Sequence, residues 1–531
     1  MVINMVKLQR ICLRVIALLG ILIFGYLAFY AWISSARMYS SSEVVVWTKD
    51  SVWKNLLFIA AALLVSAGIG AFADKLSEKV LHGLAIVVSL LVAVSCCILV
   101  SGAHAYPDAD QIYVYEAAEN FFSKDYTNIQ TEWYFNACPY QLGLGLLYGL
   151  IMRLCGSSGY AVIQYAQSVC IGVAVYASFR ITGELFQSKT AALIALLFTS
   201  LFAPMYLYTL YLYGETFGVC FSMLGILFWL LANSEKPRKK GITALYWVFS
   251  ALSLTVCYTS RLALVIVMIA MMAVGLMKAF TDKRWKAFAL TVLILFLALG
   301  GQKLSVLYME KHAGVELAQG MPAILTVAMG IQDEDENGTG PGSYNAYNLW
   351  LYFGYGFDGD SAASDAYVNI KQTLYRWSKD PAYMIDYMNQ KVLNQWNEAT
   401  YGSFMMTSKQ LDPENWVNDL YTGTWGDYCY RFLDLYQGLM YALLLVYFVL
   451  LFMGKGKTIF CLPGVLLIGE FFFSMIWEAK SRYIYPYIVL AIPAAVWSMS
   501  YGGQMLAKCI ANVINAQEKV GQSEEKDIKR R

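Results

Sequence analysis

Two carboxylates, Asp108 and Asp110, directly follow a long apolar segment in the stretch HAYPDADQIYVYEAAENFFSKD (residues 104–125). Acidic side chains beside a membrane-crossing segment are costly to keep, so they indicate chemistry or ion movement. An alternative is that one of them only caps the helix predicted to begin near Gln111, because Asp is a favoured N-cap residue. Two residues at this spacing face different sides of a helix, which predicts that one acts and the other supports the helix start.

Two further segments carry a charge at a predicted membrane boundary. YLYTLYLYGE (residues 206–215) places Glu215 at the start of a helix, where the helix dipole alone would also favour an acid. TVCYTSRLALVIV places Arg261 at a sharp turn between two apolar segments. Unless it snorkels to the surface, Arg261 needs an anion there, which can be a protein acid, a lipid headgroup or a substrate phosphate.

The segment WEAKSRYIYP (residues 477–486) supplies a fourth group of candidates. Glu478 and Arg482 could form a simple ion pair, and aromatic residues are normal at this depth. Two cations, Lys480 and Arg482, on the same side as several acids would nevertheless suit an anionic lipid-linked substrate, because Arg makes bidentate contacts with phosphate. The clustering of acids and bases on one side is therefore more specific than any single residue.

The composition predicts what must position these groups. The 531-residue chain is 58% hydrophobic and 14% charged, whereas a soluble domain is about 25% charged. Apolar runs long enough to cross a bilayer recur along it. The sequence therefore predicts an all-α polytopic membrane protein with about twelve spans, near residues 11–33, 53–73, 81–102, 160–179, 190–209, 213–232, 241–259, 262–280, 286–306, 434–453, 458–477 and 483–505. Its basic residues lie in short clusters between spans, which argues against nucleic-acid binding, and three histidines without a CxxC pair argue against a Cys/His metal site.

The basic clusters predict the orientation. All of them fall on one side of the membrane, and both termini are then cytoplasmic, if the short apolar run 141–154 lies at the outer interface instead of crossing. This arrangement predicts a first transmembrane module (residues 1–306) with an outer loop at 103–159. It also predicts an extracytoplasmic domain (307–432), C-terminal transmembrane helices (433–507) and a cytoplasmic tail (508–531).

In this order, the segments resemble the GT-C superfamily of polytopic glycosyltransferases, particularly the protein O-mannosyltransferase and aminoarabinose-transferase branch. DQIYVYEAAENFFSKDY resembles its acidic first-loop motif, with Asp110 as the leading acid and Gln111 where Glu is usual. CPYQLGLGLLYGLIMRLCG resembles the proline-led short helix that closes this loop, and FAPMYLYTLYLYGE the segment ending in a second acid, here Glu215. TSRLAL has Arg261 where the family often has Lys, and AKSRYIYPYIVLAIPA resembles the late RY…P…P segment. The likeness covers most of residues 100–280 and 470–495, while the two additional early spans and the sequence of 307–432 have no counterpart in it.

The resemblance implies a GT-C-like helical bundle that transfers a sugar from a polyprenyl- or dolichyl-phosphate carrier to an acceptor at the outer face of the membrane. In that reaction Asp110 would be the general base, with Asp108 second. No cofactor is certain, and a divalent cation bound by nearby carboxylates stays open. The sugar and the acceptor, whether glycan, lipid or protein, also stay open. The remaining implied roles are donor-phosphate binding by Arg261, Arg482 and Lys480, and support by Glu215, Glu478, His104 and Tyr483.

Three other functions compete with this interpretation. A transporter or flippase of lipid-linked sugars would also need many spans, but it predicts matching discontinuous helices in two halves, and no such internal symmetry is evident. A glycan polymerase or ligase shares the carrier chemistry but usually has its key loop late in the chain. The third competing function is that of a non-catalytic membrane assembly protein. Short loops and the absence of eukaryotic signals favour a bacterial plasma membrane.

Overall fold

The computed structural model describes residues 2–38, 44–237, 239–332, 340–412 and 414–530, and helices account for most of them. Eleven helices are long and apolar enough to cross a membrane, or twelve if one bent pair counts as a span, so the prediction of an all-α polytopic protein is confirmed. The helices are α1 (Val2–Ile33), α2 (Val52–Ala73), α3 (Glu78–Ala103), α4 (Asp110–Ser123), α5 (Thr127–Thr131), α6 (Tyr134–Ala137), α7 (Gln141–Cys155), α8 (Tyr160–Phe186), α9 (Lys189–Ser200), α10 (Ala203–Leu207), α11 (Glu215–Ala232), α12 (Lys240–Ser260), α13 (Val265–Asp282), α14 (Trp285–Ala313), α15 (Ala323–Gly330), α16 (Tyr347–Gly354), α17 (Gly359–Lys379), α18 (Pro381–Trp396), α19 (Ser403–Ser408), α20 (Gly423–Phe452), α21 (Leu462–Ile476) and α22 (Ser481–Arg530).

The two ends of the helical bundle differ in chemistry. At one end, called here the site end, α3 finishes, α11 begins, α12 passes into α13 and α21 passes into α22. These junctions bring Glu215, Arg261 and Arg482 together. The opposite end holds the connections rich in lysine and arginine, with ion pairs such as Lys189–Glu78 (3.5 Å) and Arg284–Glu235 (3.6 Å).

The span predicted as one helix over 190–209 is broken in the structure. Helix α9 ends at Ser200, and the chain bends by 54° before α10 and a 3₁₀ turn continue to Leu210. Pro204 is the cause that the sequence offers, because it has no N–H to donate to the carbonyl of Ser200. The hydroxyl of Tyr206 donates to this carbonyl instead (2.7 Å). The bend leads the chain back into the bundle toward Glu215.

The short helix α7 packs lengthwise against α4. Gly145 lies so close to Ala117, and Gly149 so close to Phe121, that an added Cβ would stand 2.6 and 2.7 Å from their side chains. Small residues at a helix contact allow such close approach. Helix α7 thus covers the face of α4 on which Ala117 and Phe121 are buried.

A β-hairpin that the sequence did not predict connects α1 to α2. Strands β1 (Ser34–Met38) and β2 (Val45–Lys49) pair antiparallel. The backbone N–H of Ala36 also donates to the carbonyl of Asn397 (3.0 Å). The β-branched run at the start of β2 was the available signal.

Helices α15 to α19 follow α14 and pack over the site end. A buried lysine, Lys391 of α18, attaches them to the bundle by donating to the carbonyls of Gly330 and Trp477, the latter at 2.6 Å. Next to it, the N–H of Ala479 donates to the carbonyl of Gly342 (2.7 Å). Residues far away in the sequence therefore fix the connection between α21 and α22.

Lys391 should give the protein a measurable pH dependence. Burial lowers the pKa of Lys391 to about 7, against a smaller opposing effect of Glu478. Between pH 7 and the ordinary lysine pKa of about 10.4, the unfolded chain therefore binds more protons than the folded chain, and stability should rise with pH.

We expect the wild-type Tm to rise between pH 7 and pH 9, and Lys391→Met to lose this rise. Lys371→Met, which replaces an exposed lysine, should keep the wild-type change of Tm with pH. Thermal unfolding of the purified proteins at the two pH values measures the change of Tm with pH. Equal slopes for Lys391→Met and the wild type would contradict the assignment.

Candidate functional site

A buried carboxylate shared by two arginines forms the centre of the candidate site. Glu215 is fully buried at the first turn of α11. Its Oε1 lies 3.3 Å from Nη1 of Arg261 and 3.5 Å from Nε of Arg482. The side chains of both arginines are also largely buried, at 11% and 7% exposed. The three groups together have a net charge of +1.

Glycine allows this ion cluster to form. Gly214, directly before α11, has a φ of +95°, and an added Cβ would stand 2.1 Å from the carbonyl oxygen of Ser260. Any side chain would push the start of α11 away from the end of α12. Arg261 follows Ser260 in extended backbone (φ −152°, ψ 103°), which ends α12 and brings its guanidinium beside Glu215.

Asp110 reaches the arginines through one tyrosine. The hydroxyl of Tyr213 donates to Oδ2 of Asp110 (2.9 Å) and lies 2.8 Å from the hydroxyl of Tyr134. The guanidinium of Arg482 is 5.2 Å and that of Arg261 5.8 Å from the centroid of the Tyr213 ring. Burial, reinforced by Asp110, raises the pKa of Tyr213 well above its ordinary value, so the hydroxyl keeps its proton and can donate.

The interpretation of the aspartates as side-chain caps is wrong for α4. The N-cap position is Ala109, with a φ of +51°, and no side chain caps the helix. Asp110 occupies the first turn and is exposed, whereas Asp108 is half-buried near Tyr160. Asp108 serves α4 through its main-chain carbonyl, which accepts from the side chain of Gln111 (3.1 Å). Of the two acids, it is Asp110 that has a described hydrogen bond into the cluster.

Gln111 was noted in the sequence only as a departure from a family pattern, and the structure gives it a structural role. It is buried, and its Oε1 accepts from the N–H of Leu212 (2.7 Å) and from the hydroxyl of Tyr160 (2.9 Å). It thereby fixes α4 to the chain just before Tyr213. A neutral amide can donate and accept at once, which suits a position that also donates to Asp108.

The connection between α21 and α22 delivers the remaining predicted residues. Glu478 accepts from Lys480 (3.3 Å) and from the hydroxyl of Tyr483 (2.7 Å), so the expected simple pair of Glu478 with Arg482 is replaced by other partners. Burial alone would raise the pKa of Glu478, but Lys480 and the hydrogen bond from Tyr483 outweigh it and hold the pKa below its usual value. The ring of Tyr483 also lies 5.0 Å from the guanidinium of Arg261.

His104 is the predicted site residue that stands apart. It is exposed and occupies the C-cap of α3, with a left-handed backbone (φ +45°). Its described role is to end α3 and turn the chain toward Asp108. The loop that follows this turn is fixed by Gln410, whose carbonyl accepts from the N–H of Tyr106 (3.3 Å).

Sequence reasoning did not select Tyr213 and Tyr134, which connect Asp110 to the arginines. Two further omissions also belong here. Tyr344, from the segment before α16, has its ring 5.4 Å from Nζ of Lys480. Burial and the charge of Asp110 raise the pKa of Tyr344 to about 12. The aromatic content of residues 307–432 was the only feature of the sequence that pointed to Tyr344.

Glu470 is the second omission. It is fully buried inside α21. The hydroxyl of Tyr487 lies beside its carboxylate and donates to the carbonyl of Ala263 (2.7 Å). The charge of Arg261 also reaches it. An acid within the apolar run LPGVLLIGEFFFSMI was a sequence signal, because ionisable residues inside membrane helices are rarely incidental.

The described residues contain no group of three or more His, Cys, Asp or Glu side chains placed to hold a metal ion. The carboxylates of Glu215 and Glu478 instead face arginine and lysine. This arrangement suits the binding of an anion better than that of a cation.

Comparison with known proteins gives one match. A family model described as "Conserved hypothetical integral membrane protein" matches residues 8–501, nearly the whole chain. No curated protein and no solved structure matches the chain.

The central ion cluster predicts a large difference between two glutamates that each face arginine. Glu215→Gln should destabilise the protein by about 3–5 kcal/mol, because it leaves two buried guanidinium groups without an anion. Glu235→Gln should change the stability little, because Glu235 forms its ion pair with Arg284 at the surface. Thermal unfolding in detergent measures both variants. Similar Tm values for the two would show that the shared carboxylate does not stabilise the site end.

Proposed function

We propose that this chain, which belongs to that integral membrane family, is a GT-C-like glycosyltransferase. It moves a sugar from a polyprenyl-phosphate carrier to an acceptor, which can be a glycan, a lipid or a protein. The observation that carries the proposal is the single tyrosine, Tyr213, that contacts both an exposed carboxylate and two buried arginines. A base and an anion-binding group are thus one side chain apart.

The charge balance favours an anionic donor. Arg261 and Arg482 share one carboxylate, while Lys480 is balanced by Glu478. These five side chains therefore have a net charge of +1 in a poorly hydrated place, where burying a charge is costly. A phosphodiester linking a sugar to a lipid carries one negative charge and accepts bidentate hydrogen bonds from guanidinium groups. Donor binding would therefore complete the ion cluster.

Asp110 has the properties of a general base. It is exposed at the start of α4, so an acceptor hydroxyl can reach it. As the acceptor oxygen attacks the anomeric carbon, the carboxylate takes the hydroxyl proton and the bond from that carbon to the phosphate oxygen breaks. The lipid phosphate leaves with the bonding electrons, and the arginines stabilise its charge. Such a single displacement inverts the anomeric configuration and needs one base. Tyr213 positions that base by its hydrogen bond.

The proposed location is a bacterial plasma membrane, with the site end facing outward and both termini in the cytoplasm. The lysine- and arginine-rich connections at the opposite end support this orientation, because such residues concentrate in cytoplasmic loops. The segment 307–432 is then an extracytoplasmic cover of the site. Tyr344 places that cover next to Lys480, and its ring could stack on a sugar.

A transporter or flippase of lipid-linked sugars is the second candidate, and two observations favour it. The span α9–α10 is broken by 54°, and Glu470 lies buried within α21. Broken helices and buried intramembrane acids are typical of secondary transporters. Both features adjoin the proposed site, since the chain after α10 leads to Glu215 and the charge of Arg261 reaches Glu470.

Separate measurement of binding and turnover tests the proposal. The full-length protein is reconstituted in proteoliposomes, titrated with fluorescent polyprenyl phosphate, and then supplied with a panel of polyprenyl-phosphate sugars. Asp110→Asn should keep carrier affinity but lose turnover by about 10²–10⁴-fold, because a general base contributes that much. Arg482→Gln should weaken carrier binding about tenfold or more, because it removes a charge-assisted phosphate contact.

Asp125→Asn is the matched control, since Asp125 is an exposed acid just after α4 and its amide analogue keeps the oxygen that accepts from Thr127. Asp108→Asn should reduce turnover less than Asp110→Asn. The base assignment is wrong if Asp110→Asn and Asp108→Asn both keep full transfer activity while folding normally. If the carrier moves across the bilayer and no sugar of the panel is transferred by any of the proteins, the transporter would instead be supported.

A further inference from the structure

A second polar groove lies at the site end, away from the candidate site. It is a cavity of about 550 Å³ between the β1–β2 hairpin, the start of α2 and the beginning of α20. None of its lining residues belongs to the cluster around Glu215. The charged residues that line it are Arg37, Lys49, Lys54, Arg431, Asp50 and Asp434.

The groove carries a surplus of positive charge. Its two acids are already engaged, because Asp434 pairs with Arg37 (3.0 Å) and Asp50 accepts from the hydroxyl of Ser35. The guanidinium of Arg37 also packs on the ring of Tyr430 at 4.9 Å. Four cations against two carboxylates leave a net charge of +2 on the described lining, which favours an anionic ligand.

The floor of the groove is buried, with Asp434 and Asn55 only 7% and 3% exposed. A ligand therefore meets the exposed cations of the lining, such as Lys54 and Arg431. The lining thus suits the phosphate of an anionic ligand.

The surroundings place the groove at the level of lipid headgroups. Trp53, next to Lys54, is 76% exposed, and Trp47 on β2 is 43% exposed. Exposed tryptophan is typical of the membrane–water interface. One turn further along α2, Leu57 is 69% exposed on a helix that is long enough to span the bilayer. A lipid whose headgroup occupied the groove could therefore lay its acyl chains along α2.

We infer that this groove binds the headgroup of an anionic phospholipid such as phosphatidylglycerol. Lys54 and Arg431, which are both exposed at the groove, hold the phosphodiester. The acyl chains lie against the apolar surface of α2. The inference is independent of the proposed sugar transfer, because the two sites share no residue. It gives a role to α2, which is one of three early spans of which the glycosyltransferase resemblance leaves two without a counterpart.

Lipid titration with the full-length protein tests the site. Protein purified in a neutral detergent is titrated with phosphatidylglycerol, phosphatidylcholine and glycerol 1-phosphate, and bound lipid is counted by native mass spectrometry. The wild type should bind phosphatidylglycerol about tenfold more tightly than phosphatidylcholine. The double variant Lys54→Gln/Arg431→Gln should bind it about 25-fold more weakly, because each surface cation near an anionic lipid contributes about fivefold.

The control is Lys409→Gln, which removes an exposed lysine at the end of α19 outside the groove and should keep wild-type binding. If the double variant does not fold, Lys54→Gln and Arg431→Gln are tested singly, with about a fivefold loss expected for each. Equal affinity for the two lipids, or equal affinity of the groove variants and Lys409→Gln, overturns the inference. Glycerol 1-phosphate binding as tightly as phosphatidylglycerol would also overturn it, since the site would then be one for soluble phosphate esters.

Discussion

One buried carboxylate determines how the site end of this protein is built. Glu215 lies without solvent between Arg261 and Arg482, and each arginine comes from a different helix junction. Two guanidinium groups at this depth would repel each other without the shared acid, since Coulomb interactions are strong where water is excluded. The backbone around Glu215 is arranged accordingly. Gly214 permits the close approach of α11 to α12, and the break before α10 returns the chain to the interior.

Tyrosines, more than charged residues, connect this cluster to its surroundings. Tyr213 contacts Asp110 and both arginines, and Tyr483 contacts Glu478 and the same arginines. A tyrosine can offer its ring face to a cation while its hydroxyl donates to a carboxylate. It can therefore hold opposite charges apart at a fixed distance. This suits a site in which a base must stay separate from the cations that bind the leaving group.

The sequence predicted the parts of this structure that depend on single segments. Apolar runs of span length and the short run in α7 were recognisable because hydrophobicity is a property of consecutive residues. Asp110, Arg261 and Arg482 were selected because acids and bases cluster on one predicted side of the membrane. The bend before α10 was missed although Pro204 was visible, because a proline alone does not say whether a helix kinks or ends.

Contacts between distant segments could not be predicted in the same way. Gln111 was only a departure from a pattern until Leu212 was found to donate to it, and nothing in the sequence placed Tyr344 beside Lys480. The early hairpin is similar, since five-residue strands give a weak periodic signal. Glu470 is different. An acid inside an apolar run was visible in the sequence and could have been selected by the argument applied to Arg261.

The solvent exposure of these groups bears on the choice between enzyme and transporter. Asp110 is exposed, whereas Glu215, Arg261 and Arg482 have little exposure. A single-displacement transferase needs this asymmetry, because the base must meet an acceptor from water while the phosphate is stabilised where the dielectric constant is low. A transporter must instead expose its binding groups to each side in turn, and would have to break contacts that bury the central cluster. Glu470 is the group that a transport cycle could use and that the transferase mechanism does not require. Its fully buried carboxylate inside α21 is therefore the strongest structural argument for movement through the bundle. The exposed Asp110, one tyrosine away from two largely buried arginines, is the strongest for transfer at the site end.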